Sequence, residues 1–210
     1  MIRLRPGRLS IPTFLFVLAF AVLFVAIPLV AKTEVDFNPD VDFSKYKTFA
    51  YVGGVENLLM FQVNPDLVNE RVHHAVVREL SKKGLREVLP NQNPDLIIRF
   101  WAAPSSQVNV STMGNWGPYQ PFISSYWEPA YDELSSASNV KEGCLLIDLI
   151  DSHTKDLSWR LYLVHKITLP EKEWKKADEE LTKGFESFPP TEKEIDAKKK
   201  ERADHAPKAS

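Results

Sequence analysis

The chain has 210 residues, 44% of them hydrophobic and 26% charged, with a formal net charge of −2. That length accommodates one medium domain with an atypical stretch at each end. The balanced charge gives no basic surplus for a nucleic-acid footprint, and the apolar content is that of a folded chain, not a disordered one.

The amino terminus, MIRLRPGR, carries Arg3, Arg5 and Arg8, and an uncharged run follows over residues 9–31 with the apolar centre FLFVLAFAVLFVAI. This is the pattern of a secretory signal peptide. The basic residues hold that end in the cytoplasm, so everything after Lys32 is expected outside the cytoplasmic membrane. Two outcomes stay open. Pro28 can end the helix ahead of a cut after Ala31, leaving a soluble periplasmic domain. Alternatively Leu29, a poor match to the small residue needed there, leaves the run uncut as a signal anchor, since about 20 apolar residues span a bilayer. In the second case residues 9–31 are the only membrane contact, in the inner membrane of a Gram-negative-type bacterium. The single cysteine, Cys144, lies far from this run. It excludes lipid attachment there and any internal disulfide, and it reads as a buried strand residue.

The globular domain is expected over residues 33–190. Two short extended pieces open it, the second at residues 46–52 and ending at Gly53-Gly54. VNPDLVNERVHHAVVRELSKKGL then reads as a helix. Asn64 is the N-cap, Pro65 the first helical residue, Asp66 a complement to the dipole and Gly84 the stop. Val68, Val72, Ala75 or Val76, and Leu80 supply its buried face. Short strands follow at 85–89 and 95–102. Residues 103–141 are rich in Ser, Pro, Gly and aromatics without a sustained period, the mark of a functional or disordered insertion.

LLIDLIDSHTKDLSWRLYL resembles a catalytic cluster only at first sight. Leu145, Ile147 and Leu149 alternate onto one face, as do Leu157, Trp159, Leu161 and Leu163, so two strands form an antiparallel hairpin. Asp151, Ser152 and Thr154 are then turn chemistry. A second amphipathic helix spans 171–188, with Trp174, Ala177, Leu181, Phe185 and Phe188 in one stripe. Residues 191–210 mix both charges and read as a disordered solvated tail. The expected fold class is α+β: a mostly antiparallel sheet with two amphipathic helices packed on one face, preceded by a signal or anchor helix.

Five stretches carry a resemblance: DFSKYKTFAYVG, ELSKKGL, PDLIIRFW, EGCLLIDLIDSHTKDLSWRL and GFESFPP. In order and spacing they are similar to the domain-of-unknown-function family 4136 (DUF4136) of exported and lipid-anchored bacterial proteins. The resemblance implies an α+β envelope domain with no agreed activity and no recognised catalytic residues. The chain departs from lipid-anchored members in lacking their cysteine.

Neither a nucleophile elbow, a phosphate loop nor a dinucleotide glycine pattern occurs, so no catalytic residue, cofactor or metal site is assigned. His73 and His74 are adjacent, about 100° apart on a helix, and cannot share an ion from one face. The candidate contact residues lie in the aromatic insertion: Trp116, Tyr119, Phe122, Tyr126, Trp127 and Tyr131, types that concentrate in binding hot spots. The expected function is a non-enzymatic envelope module that binds another protein or a cell-wall component. The alternative is a small apolar ligand carrier, with its pocket between the sheet and the 103–141 loop.

Overall fold

The computed structural model describes residues 32–55, 64–104, 143–165 and 171–205. The amino-terminal segment and the aromatic insertion, including all six candidate contact residues, lie outside the described residues. Six strands form one sheet in the order β1-β6-β5-β4-β2-β3. They are β1 (Lys32–Phe37), β2 (Thr48–Val55), β3 (Arg86–Glu87), β4 (Leu96–Pro104), β5 (Gly143–Asp151) and β6 (Leu157–His165). The helices are α1 (Pro65–Lys82), α2 (Glu171–Glu186) and α3 (Glu192–His205).

The fold is α+β, but the sheet is mixed where a mostly antiparallel one was expected. β1, β6, β5 and β4 pair antiparallel, while β2 pairs parallel with both β4 and β3. The cause is the connection. β2 returns to the sheet through α1, and a strand–helix–strand crossover delivers parallel neighbours, whereas the tight β5–β6 turn delivers an antiparallel one. Late in β2 the register shifts between Tyr51 and Gly54. Gly53 takes a φ of +79°, and a Cβ on Gly54 would stand 2.5 Å from the Phe100 ring. Both glycines are therefore needed where β2 crosses Phe100.

α1 forms as its caps dictate. Asn64 Oδ1 accepts the N–H groups of Asp66 and Leu67, Pro65 opens the helix, and Gly84 takes a φ of +85° beyond the end. Val68, Val72, Ala75, Val76 and Leu80 pack with Leu181, Phe185 and Phe188 against Phe49, Leu96, Ile98, Ile147, Leu149 and Trp159 of the sheet. Trp159 stacks on Phe185 at 5.2 Å and meets Phe188 edge-on at 5.6 Å. Burying each such ring contributes about 1.5–3 kcal/mol. Leu157, assigned by simple alternation to this face, does not join the cluster. It pairs with Ile150 while Trp159 pairs with Leu149, so Ser158 is an extra, bulged residue.

Residues 192–205, expected within a disordered tail, form α3. Thr191 and Glu194 make a capping box. Glu194 Oε2 accepts the Thr191 N–H at 2.7 Å, and Thr191 Oγ1 accepts the Glu194 N–H at 3.3 Å. Glu, Lys, Ala and Arg then supply high helix propensity. α3 is tied to β1 and the turn after it. Lys198 pairs with Asp36 and lies 5.2 Å over the Phe37 ring, Arg202 pairs with Asp40 at 2.7 Å, and Ile195 packs on the core.

Candidate functional site

The two most distinctive sequence stretches meet each other. Asp42 caps a single 3-10 turn, Phe43–Lys45, by accepting the Ser44 N–H. That turn delivers Lys45 and Tyr46 to the β5–β6 hairpin. Asp151 Oδ1 accepts the N–H groups of His153 (2.8 Å) and Thr154 (3.1 Å), which fixes the turn. Its Oδ2 accepts the Tyr46 hydroxyl at 2.9 Å and pairs with Lys45 Nζ at 2.7 Å. The Ser158 hydroxyl, made available by the bulge, donates to Tyr46 Oη at 2.9 Å. Burial pushes the Asp151 carboxyl up, but Lys45 and the turn N–H groups more than reverse this and hold it at about 2. Burial, reinforced by Asp151, raises the Tyr46 phenol well above its ordinary value.

A second carboxylate closes the neighbouring strand ends. Asp95 Oδ2 accepts the N–H groups of Lys47 (2.8 Å) and Thr48 (2.9 Å) and the Thr48 hydroxyl (3.0 Å). Its backbone carbonyl accepts the Ser152 N–H, and the Ser152 hydroxyl bonds the Pro94 carbonyl. Chemically, a serine, a tyrosine and an aspartate in contact could suggest a nucleophile and its base. Geometry denies that use: Asp151 is 1% and Ser158 0% exposed, and every oxygen of the Asp151 carboxylate is bonded within the protein. The cluster is a clasp between the domain's opening turn and its central hairpin.

The sheet face opposite α1 and α2 carries alternating charges along one row. Asp36, Arg160, Asp148 and Arg99 are successive partners across β1, β6, β5 and β4. Arg160 clamps Asp148 with two bonds, Nε to Oδ1 at 2.5 Å and a terminal nitrogen to Oδ2 at 2.8 Å. Both side chains are buried. The next row holds Tyr162, Leu146 and Trp101, all buried. Burial, with Cys144 and Glu34 nearby, pushes the Tyr162 phenol up to about 12. Cys144 is a buried cysteine, in no disulfide, on this same face.

The two adjacent histidines separate as their helical spacing requires. His73 stacks on Tyr51 at 4.5 Å and bonds Glu87 at 2.6 Å, while His74 turns to a groove between α1 and α2. Among the described residues, no group of three His, Cys, Asp or Glu side chains could hold a metal ion. The groove, about 540 Å³ and open to solvent, is lined by Arg71, His74, Ala75 and Arg78 of α1 and Trp174, Lys175 and Asp178 of α2. The Arg71 guanidinium sits 5.2 Å over the Trp174 ring. Arg78 is braced by Glu79 at 2.7 Å and by Asp178 and Thr182 at 2.9 Å. Burial pushes Glu79 up, yet Arg78 and Lys82 hold it below the usual carboxylate range. His74, Ala75 and Trp174 were read from sequence in other roles, and Arg71, Arg78, Lys175 and Asp178 were not singled out. Their signal was a basic i, i+3, i+7 stripe (Arg71, His74, Arg78) beside the apolar face of α1.

These observations define an α+β domain with a mixed sheet and an internal polar clasp. The model of the family described as "Domain of unknown function (DUF4136)" matches residues 33–190, and the chain belongs to that family. No curated protein matches it. Among solved structures, it is similar to a PDZ domain protein from Parabacteroides distasonis at 17% identity and a TM-score of 0.47. That match covers 77% of this chain and only 36% of the other. A DUF4136 family protein from Bacteroides thetaiotaomicron is similar at 14% identity and a TM-score of 0.43, covering 76% and 96% of the two chains. The PelC dodecamer from Paraburkholderia phytofirmans is similar at 9% identity and a TM-score of 0.40, covering 73% and 94%.

Proposed function

We propose that the chain is a non-enzymatic binding module of the cell envelope, exported by its amino-terminal segment and recognising another protein. The observation that carries this reading is a division of labour among polar groups. Among the described residues, the acids and hydroxyls of the β5–β6 hairpin are spent on the clasp and on the Arg160–Asp148 pair, where they are buried. The exposed recognition chemistry, two arginines, a lysine and a histidine beside a tryptophan, lines an open groove. Arginine and tryptophan are the side chains that most often dominate binding energy at interfaces. The sequence adds Trp116, Tyr119, Phe122, Tyr126, Trp127 and Tyr131 as further contact candidates.

In-cell photo-crosslinking from positions 116 and 127 tests the reading, combined with protease treatment of intact spheroplasts. One recurrent envelope protein joined at both positions, in a chain that the protease reaches, is the expected result. A chain protected inside spheroplasts would refute export. Adducts only within residues 145–163 would refute recognition through the insertion and favour a lid over the domain's own sheet.

A further inference from the structure

We propose that the groove between α1 and α2 binds an extended acidic segment of the partner protein. The proposal deepens the binding-module reading and rests on it. The groove is built from two helices whose contacts run in step. Arg71 meets Trp174, and Arg78, two turns on, meets Asp178 and Thr182. From Arg71 to Arg78 the helix rises about 10 Å, the length of about three residues of extended chain. Cationic side chains stand at both ends of this length: Arg71 and Lys175 at one, Arg78 at the other. An extended acidic segment laid along the groove therefore meets a cationic side chain at each end.

The charge balance has the right sign. Among the described lining residues, Arg71, Arg78 and Lys175 face one acid, Asp178. The two arginines are held before any ligand arrives, one flat on an aromatic ring and one in a network of three oxygens. Side chains held in this way lose little freedom on binding. Trp174 gives the groove an apolar surface for the peptide chain between its acids. A volume of about 540 Å³ in an open trough suits an extended segment better than an enclosed small anion.

The test uses the full chain and a fluorescein-labelled peptide of alternating glutamate and alanine, with its glutamine counterpart as control. Fluorescence anisotropy should show binding of the glutamate peptide that weakens as salt rises. Lys175→Glu lies on the exposed surface and turns attraction to repulsion. It should weaken binding by roughly tenfold, the equivalent of about 1.4 kcal/mol, and Lys175→Gln by less. Equal binding of the glutamine peptide, or an unchanged affinity in Lys175→Glu, would overturn the proposal. Displacement of the peptide by equimolar inorganic phosphate would overturn it in favour of a simple anion site. Lys175-dependent sedimentation with phosphatidylglycerol vesicles, without peptide binding, would overturn it in favour of a membrane surface. If peptide binding fails while crosslinks from positions 116 and 127 persist, the groove proposal falls and the binding-module reading stands.

Discussion

Removing the Tyr46 hydroxyl should loosen the clasp without touching the groove. Tyr46→Phe deletes the bond to Asp151 Oδ2 and leaves the Ser158 hydroxyl without its tyrosine partner, both inside a region closed to water. A hydrogen bond to a charged group contributes about 1.5–3 kcal/mol, so the expected loss is about 2 kcal/mol. At a slope of about 2 kcal/mol per molar this moves the urea midpoint down by about 1 M. Asp151→Asn should cost a similar amount and also change the acid limb of stability. The Asp151 carboxyl is held at about 2 in the folded chain against its ordinary value of 3.8. An unfolded chain therefore takes up the proton first as pH falls. The contribution, about 2 kcal/mol, is complete above the unfolded value and is lost as pH drops from about 4 to about 2. The gap between wild type and Asp151→Asn should narrow across that window. In the double-mutant cycle, Tyr46→Phe and Asp151→Asn should couple by about 1–2 kcal/mol. A coupling below about 0.3 kcal/mol, the level of independent sites, would refute the clasp.

Three further predictions concern the sheet and α3. Arg160→Met or Asp148→Leu alone strands a buried charge and should cost about 3–5 kcal/mol, while the double substitution recovers most of the loss because an apolar pair needs no desolvation; urea midpoints of the three variants check this. Gly54→Ala pushes a methyl into the Phe100 ring, 2.5 Å from the built Cβ, and should lower the thermal midpoint through a loss of about 1–3 kcal/mol. Thr191→Ala removes half of the capping box, and about 1 kcal/mol with it. Amide exchange over residues 192–205 should then accelerate while that over β5 and β6 stays as it was.

Local signals were read from sequence where the physics is local. Asn64, Pro65 and Gly84 bound α1 because capping involves neighbours a few residues apart, and the Trp174–Phe188 stripe marked the buried face of α2 for the same reason. The hairpin turn was identified as turn chemistry from Asp151, Ser152 and Thr154, and the structure adds what those residues hold. Tyr46 and Asp151 are 105 positions apart. Both lay in stretches recognised as distinctive, yet no spacing rule brings them together. The parallel half of the sheet was implicit in the strand–helix–strand order around α1, an implication not drawn from propensity alone. Thr191 and Glu194 spell a capping box in plain sequence, but the charged composition that follows masked it as a tail. Leu157 was placed on the wrong face because alternation fails at a bulge, and a bulge depends on the partner strand. The groove needs α1 beside α2, a tertiary fact, so only its basic stripe on α1 was visible beforehand.

The central claim is that recognition belongs to the exposed groove and that the clasp serves only the fold. The most direct test is the yield of partner adduct from a photo-crosslinking residue at position 74, compared between Tyr46→Phe and Lys175→Glu at a temperature where both chains are folded. The account predicts that Tyr46→Phe leaves the adduct at the wild-type level despite its lower urea midpoint, and that Lys175→Glu sharply lowers the adduct with its midpoint intact. Loss of the adduct in folded Tyr46→Phe, with retention in Lys175→Glu, would contradict it and return the clasp to the centre of function.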